Sequence, residues 1–354
     1  MCTVDMTKGS QTKLLIQFSI PILIGNLFQQ VYTLADRIIV GRFVGDAAFS
    51  AIGATNALSM MFMSMCMGAA IGTGVIVSQY FGAKDEKGTA ASIANGTYAC
   101  ILIAIATVLS ETIAAVLCII YAFRKVPQFK QAYEHRKINK DLMIKIIRVG
   151  IPTGLQYALI YVSSIVLQRI VNGFGESVIG AFTATTQIEL LVQQIFAALG
   201  AAIVTYTGQN MGAGKYERIS LGVVSAMKIS AVISIVLLAV FWLFGKPIMS
   251  IFVTNAEIIS IAATGIRITS LFLITLGGVQ ILRYMLNGAG DSMYALMNGV
   301  VEVIARVTFA ISLTAIPFIG MWGIWLTTGL TWTVTAIFAL FRYKHGAWKS
   351  KILI

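Results

Sequence analysis

The stretch LLIQFSIPILIGNLFQQVYTLADRIIVGRFVG, residues 14–45, is mostly apolar and long enough to cross a bilayer. An acid, Asp36, lies inside it, and four uncharged polar residues precede that acid: Asn26, Gln29, Gln30 and Thr33. These residues are spaced by three or four, so they share one face of a helix. A carboxylate in hydrocarbon is costly unless it faces a protein interior or a wet cavity. The stretch therefore predicts a transmembrane helix whose polar stripe lines a pathway. The alternative is that Asp36 lies at the helix end, paired with Arg37 or Arg42 among the headgroups.

The composition of the whole chain is that of a membrane protein. Of its 354 residues 58% are apolar and only 11% are charged, against about 25% charged in a soluble domain. Nine apolar segments each exceed the length that spans hydrocarbon: 14–40, 48–80, 91–123, 144–172, 178–210, 222–244, 256–286, 293–318 and 321–342. They lack the alternation that a membrane barrel requires. We predict an all-α polytopic membrane protein with about nine transmembrane helices.

The net charge of +12 comes mostly from Lys and Arg in short loops and at the C-terminus. In a membrane protein this distribution sets orientation, so we expect no nucleic acid partner. The sequence contains neither HExxH nor GxSxG, and both histidines lie in predicted loop and tail. We therefore expect a protein that is not an enzyme.

Two parts of the chain are copies of each other. The segment LLIQFSIPILIGN matches IKIIRVGIPTGLQ, which aligns Pro21 with Pro152, 131 residues later. The polar turn SQYFGAK at 78–84 matches GQNMGAG at 208–214, at an offset of 130. An offset that stays this steady over two helices indicates a duplicated unit, which is typical of transporters.

The two copies differ in length. The second runs for 190 residues from Pro152 to Arg342, whereas the first runs for 102 from Pro21 to Phe123, a shortfall of 88. This predicts two unequal bundles, a truncated N-lobe of three helices and a complete C-lobe of six. The predicted divisions are a truncated bundle, a basic cytoplasmic linker, a six-helix bundle and a cytoplasmic tail, at residues 1–123, 124–143, 144–345 and 346–354.

The segment 124–148 is the most basic in the chain, with eight Lys or Arg against two acids, and belongs in the cytoplasm. If 91–123 crossed the membrane once, that loop would lie outside. Three explanations are open: a re-entrant or bent segment, an inverted second half, or a deletion from a longer transporter. We favour a deletion near Glu111, with both termini cytoplasmic.

Six stretches resemble the multidrug and toxic compound extrusion (MATE) transporters: IPILIGNLFQQVYTLADRIIVGRFVG, SAIGATNALS, VSQYFGAKD, AFTATTQIELL, GQNMGAGKYER and LNGAGDS. The resemblance implies two six-helix bundles around a central cavity, with this chain lacking helices four, five and most of six. It also implies export of drugs or organic cations in exchange for Na⁺ or H⁺ across the inner membrane. The expected partners are these small molecules and membrane lipids, with no cofactor beyond the coupling ion.

The resemblance implies that Asp36 is the coupling carboxylate, because it matches the acid on the family's first helix. Asn26, Gln30 and Thr33 would line its pocket, and a transient Na⁺ at Asp36 is the only metal expected. The repeat places Leu167 at the position equivalent to Asp36, so the two halves are not chemically equivalent.

Glu189 and Gln193, four residues apart in the middle of an apolar segment, are a second candidate site. The alternative for Glu189 is a structural hydrogen bond between helices. Glu302 and Arg306 share the same spacing and predict a self-neutralised pair on one helix. Arg283 is expected near an inner turn.

Three functions follow from these observations. The first is a cation-coupled multidrug antiporter. The second is a non-transporting remnant whose shortened N-lobe does not enclose a cavity. The third is a flippase for lipid-linked saccharides, which would need several cationic residues facing the cavity.

Overall fold

A computed structural model describes residues 5–43, 68, 70–105 and 140–351, with side chains in the first and third helices as far as residues 29 and 98. Within these residues the chain forms ten α-helices and no strands. In chain order they are α1 (Gln11–Phe43), α2 (70–82), α3 (Glu86–Ile105), α4 (Lys140–Val171), α5 (Glu176–Gly212), α6 (Tyr216–Ser250), α7 (Ala256–Ser270), α8 (Leu273–Gly288), α9 (Ser292–Thr314) and α10 (Gly323–His345). The fold is thus the predicted all-α membrane architecture.

The helices from α4 onward are long and apolar enough to cross a membrane. Among the described residues five spans pass this test singly, and α7 and α8 pass it together across a 53° bend. The apolar segment predicted at 256–286 is therefore two helices joined at a bend. The helix breaks at Leu271 and Phe272, where the Phe272 ring occupies the space left by the missing side chain of Gly329 in α10.

The ends of α2 and α5 cross at a contact that repeats the sequence duplication. A Cβ atom added to Gly82 would collide with the backbone of Gln209, and one added to Gly212 would collide with that of Gln79. Both pairs are related by the offset of 130 that the sequence predicts. The reciprocal contact therefore lies on the twofold axis that relates the two copies.

The same end of the molecule holds the N-terminal segment, Asp5–Gly9, against the turn between α5 and α6. The Met6 amide donates to Gln209 Oε1 at 2.6 Å, and Arg218 Nη2 donates to the Gly9 carbonyl at 3.0 Å. The Met6 side chain is fully buried. The Thr7 hydroxyl donates to the Asp5 carboxylate at 2.6 Å, and this bond lowers the pKa of Asp5. The start of the chain thus joins the first copy to the second.

This end also carries the start of α4. We call it the basic end: it comprises Asp5–Gly9, the turn between α5 and α6 and the start of α4. Lys145 Nζ donates to the Tyr80 hydroxyl of α2 at 3.2 Å, so α2 ends where α4 begins. The proposed deletion point near Glu111 and most of the predicted linker lie outside the described residues. The division into domains therefore stays a prediction.

Two apolar clusters stabilise the molecule. The cluster at the basic end includes Met6, Ile203 and Trp348, and the cluster at the opposite end includes Phe241 and Trp325, all at least nine-tenths buried. Burial of such large side chains contributes about 1.5–3 kcal/mol each. A cavity lies where the two clusters meet, in the second copy.

Candidate functional site

The cavity in the second copy has a volume of about 310 Å³ and is lined from α4, α5, α8, α9 and α10. Five aromatic residues form part of its wall: Tyr157, Tyr161, Phe182, Tyr284 and Trp332. Four glutamines also line it: Gln168, Gln193, Gln194 and Gln280. This size and this mixture of aromatic and amide groups are typical of sites for small amphipathic ligands.

One wall of the cavity carries a buried ionic network. Glu302 Oε2 accepts from Arg283 Nη2 at 2.5 Å, and Glu302 Oε1 accepts from Arg306 Nη2 at 2.9 Å. Arg283 Nε also donates to Asn298 Oδ1 at 3.0 Å. Buried charges are costly unless they are paired and hydrogen-bonded, and Glu302 uses both carboxylate oxygens here. The predicted pair of Glu302 and Arg306 is confirmed.

Arg283, expected near an inner turn, lies close to the turn that follows α8 but within the helix, where it is buried. It lies five residues before the end of α8, is 4% exposed, and links α8 to α9 through Glu302. A signal was present in the sequence, because Gln280 and Asn287 share its helix face at spacings of three and four. The partner on α9 could not be read from that spacing, since it belongs to another helix.

Glu189 and Gln193 both lie on α5 and both line the cavity. Arg306 lines the same cavity. Glu189 also borders a smaller cavity lined by Thr269 and Ser270. The structure thus brings together the second predicted pair and the ionic network. A coupling role for Glu189 stays a prediction.

The polar stripe of the first helix lies within α1, which continues for seven residues beyond Asp36 to Phe43. Asn26 is half-buried, and the side chains of Gln30, Thr33 and Asp36 lie outside the described residues. Leu167, the repeat equivalent of Asp36, is buried and lines the cavity of the second copy. In the repeat alignment, Asp36 therefore corresponds to a residue that lines the cavity of the second copy.

The described side chains of His, Cys, Asp and Glu form no cluster of three that would hold a metal ion. A single carboxylate with uncharged oxygen donors is compatible with weak, transient cation binding, and Asp36 is the residue to which that expectation applies. The Na⁺ site at Asp36 therefore stays a prediction.

The fold and the cavity define a polytopic helical membrane protein with an internal twofold repeat and a ligand-sized site. The sequence profile of the MatE family matches residues 21–132 and 152–312, about three quarters of the chain, and the protein belongs to that family. The two matched stretches begin at Pro21 and Pro152, the prolines that align the two copies. The family consists of membrane transporters, so the chain is a multi-pass membrane protein.

Relatives support this assignment over the full length. The chain is 20% identical to "Probable multidrug resistance protein YoeA" of Bacillus subtilis over 450 aligned positions, covering 99% of this chain and 97% of that protein. It is 24% identical to "Multidrug export protein MepA" of Staphylococcus saprophyticus over 235 positions, covering 65% of this chain and 49% of that protein. An alignment of 450 positions opens long gaps in a chain of 354 residues, so YoeA contains sequence that this chain lacks.

Solved structures show the same fold. "Crystal structure of MATE in complex with MaL6" superposes with a TM-score of 0.86 at 19% identity, covering 99% of both chains. A second structure has a TM-score of 0.84 at 18% identity and 99% coverage of both chains. It is described as "Reverse polarity of binding pocket suggests different function of a MOP superfamily transporter from Pyrococcus furiosus".

Proposed function

We propose that the protein exports cationic or amphipathic compounds from the cell in exchange for Na⁺ or H⁺. The observation that carries this proposal is the cavity of about 310 Å³, which combines aromatic walls with amide groups and the Glu189 carboxyl. Drug-sized ligands occupy sites of about 300–1,000 Å³ with this kind of lining. The relatives called multidrug resistance and multidrug export proteins support the same activity.

The coupling ion acts at carboxylates in our proposal. A carboxylate between membrane helices must be neutralised by a proton, a cation or an arginine, and its partner can differ between two conformations. Asp36 is the proposed coupling residue of the first copy, with Asn26, Gln30 and Thr33 around it. Glu189 with Gln193 serves the second copy. Ion binding at these carboxylates would favour one conformation and substrate binding the other.

Drug efflux from a sensitive host tests this function. We expect cells that express the wild type to export norfloxacin, and Asp36→Asn and Glu189→Gln each to reduce the energised efflux rate by about tenfold, equivalent to 1.4 kcal/mol. The matched control is Glu217→Gln, because Glu217 is an exposed acid in the first turn of α6. No efflux from a well-expressed wild-type chain would favour the non-transporting remnant.

We place the basic end in the cytoplasm. It carries Lys8, Lys215 and Lys349, whereas the opposite end has the acids Glu176 and Glu257 and only a few bases such as Lys246. Excess Lys and Arg in short segments marks the cytoplasmic side. In a cysteine-free chain, a membrane-impermeant maleimide on intact cells should label Lys246→Cys and spare Lys349→Cys. The reverse pattern would invert the topology.

A flippase for lipid-linked saccharides is the second candidate. The observation that favours it is that two arginines, Arg283 and Arg306, line the cavity. Proteoliposomes distinguish the two functions: a flippase would move a fluorescent lipid-linked saccharide between leaflets, and an exporter would move norfloxacin but not that lipid.

A further inference from the structure

The charges in the cavity wall are two arginines and two glutamates: Arg283, Arg306, Glu189 and Glu302. Tyr157, Tyr161 and Tyr284 are the other ionisable groups among its described lining residues. Glu302 is bonded to both arginines, so it balances one positive charge out of two. Among the described lining residues, the net charge of the wall therefore depends on whether Glu189 is ionised.

Arg283 is occupied by structural contacts. Its Nε and Nη2 atoms bond Asn298 and Glu302, at 3.0 and 2.5 Å. Asn298 in turn donates from Nδ2 to the Thr335 carbonyl at 2.8 Å, which extends the same network to α10. Arg283 therefore holds three helices together and has little capacity left for a ligand.

Arg306 is only partly occupied. Its Nη2 bonds Glu302 at 2.9 Å, and its Nη1 reaches Ser164 Oγ at 3.5 Å, the limit of a hydrogen bond. Its Nε is buried and has no hydrogen-bond partner among the described residues, although the residue is only 8% exposed. A guanidinium has five N–H donors, and an unsatisfied buried donor costs free energy. Nη1 is therefore the most weakly bonded donor of Arg306, and the residue lines the cavity.

Glu189 and Arg306 both line the cavity, and no hydrogen bond joins them in the described part of the chain. Glu189 also borders the small cavity beside Thr269. An ionised Glu189 would compensate the excess positive charge from a distance. An anionic group that touches Arg306 directly would compensate it better, and Glu189 would then act as its competitor.

The rest of the wall suits an aromatic compound. Trp332, Phe182 and Tyr157 provide apolar surface, and Gln193 and Gln280 provide donors and acceptors for polar edges. A planar molecule with one anionic substituent would place its ring among the aromatics and its charge at Arg306.

We propose that Arg306 binds the carboxylate of the exported amphipathic compound in this cavity. This assignment rests on the proposed export function and names the chemical group that the second copy recognises. Hydrogen bonds between a guanidinium and a carboxylate are about twice as strong as neutral ones, and the low dielectric of the cavity strengthens them further.

Norfloxacin and its ethyl ester test the proposal, because they differ only in the free carboxylate. Both would be titrated onto the purified full-length protein in phosphatidylcholine nanodiscs at pH 7. We expect norfloxacin to bind about tenfold more tightly than the ester, and Arg306→Gln to remove that preference. Glu189→Gln should raise the affinity for norfloxacin several-fold, because it removes the competing negative charge.

The ester is the control for folding, since an Arg306→Gln protein that is folded should bind it as the wild type does. Equal affinities for the two compounds in the wild type, or an unchanged preference in Arg306→Gln, would overturn the proposal. So would a norfloxacin affinity that falls, in the wild type only, when phosphatidylglycerol replaces phosphatidylcholine, because a lipid headgroup would then occupy Arg306. Failure of export itself would be visible separately, as absence of norfloxacin efflux from cells.

Discussion

The two copies are alike at the basic end and unlike at the level of the cavity. At the basic end Gly82 packs against Gln209 and Gly212 packs against Gln79, so the glycine of each copy contacts the glutamine of the other. At the cavity level the equivalent of Asp36 is Leu167, and the equivalent of Glu189 is Ser59. The residues that pack at the basic end are the same in both copies. Asp36 occurs only in the first copy, and Glu189 only in the second.

The difference has a physical reason. A contact across a twofold axis needs a small residue on both sides, because a side chain on either one would separate the backbones. A charged site needs its acid once, and a second acid nearby would raise the cost of burying either. The glycine contact at the basic end is therefore symmetric, whereas the positions of the acids are not.

The largest expected loss of stability follows a substitution in the ionic network around Glu302, in the second copy. Arg283→Met leaves Glu302 with one arginine and Asn298 without its donor, and we expect the free energy of unfolding to fall by about 3–5 kcal/mol. Thermal unfolding of the purified protein would measure this. The matched control is Arg169→Met at the exposed end of α4, which should change stability by less than about 0.5 kcal/mol. Equal effects of the two substitutions would contradict a structural role for Arg283.

A smaller and symmetric effect is expected at the glycine contact. Gly82→Ala and Gly212→Ala should each lower stability by about 1–3 kcal/mol, and by similar amounts, because each new methyl group meets a backbone that has no room to move. Gly74→Ala, on the same helix as Gly82 but with open space around it, should be neutral or slightly stabilising. If only one of the two contact glycines proved sensitive, the twofold relation would not hold at this end.

Much of the fold could be predicted because the hydropathy of a segment depends only on the residues within it. The segment predicted at 178–210 is the helix Glu176–Gly212, and that at 321–342 is Gly323–His345. The repeat offset was informative about tertiary structure as well. It aligned Gly82 with Gly212, and these two glycines lie at one contact in the structure. The break in 256–286 escaped prediction, since the contact between Phe272 and Gly329 joins residues far apart in the chain.

The candidate site was predictable in part for the same reason. The pair of Glu302 and Arg306 lies on one helix, so its spacing was sufficient to predict it. The bond from Arg283 to Glu302 joins two helices, and it depends on how each is rotated about its axis. Gln193 and Glu189 were found on one helix face, but that they line one cavity with Arg306 was not visible in the sequence.

The sequence by itself determined that this is a helical membrane protein, built from two unequal copies with an acid in its first helix. It could do so because apolar length, helical spacing and repeat offset are properties of the chain alone. Only the tertiary structure decided that two arginines share Glu302 and that Arg306 lines the cavity. Those relations are set by the packing of α4, α5, α8 and α9 against one another, which no local pattern encodes.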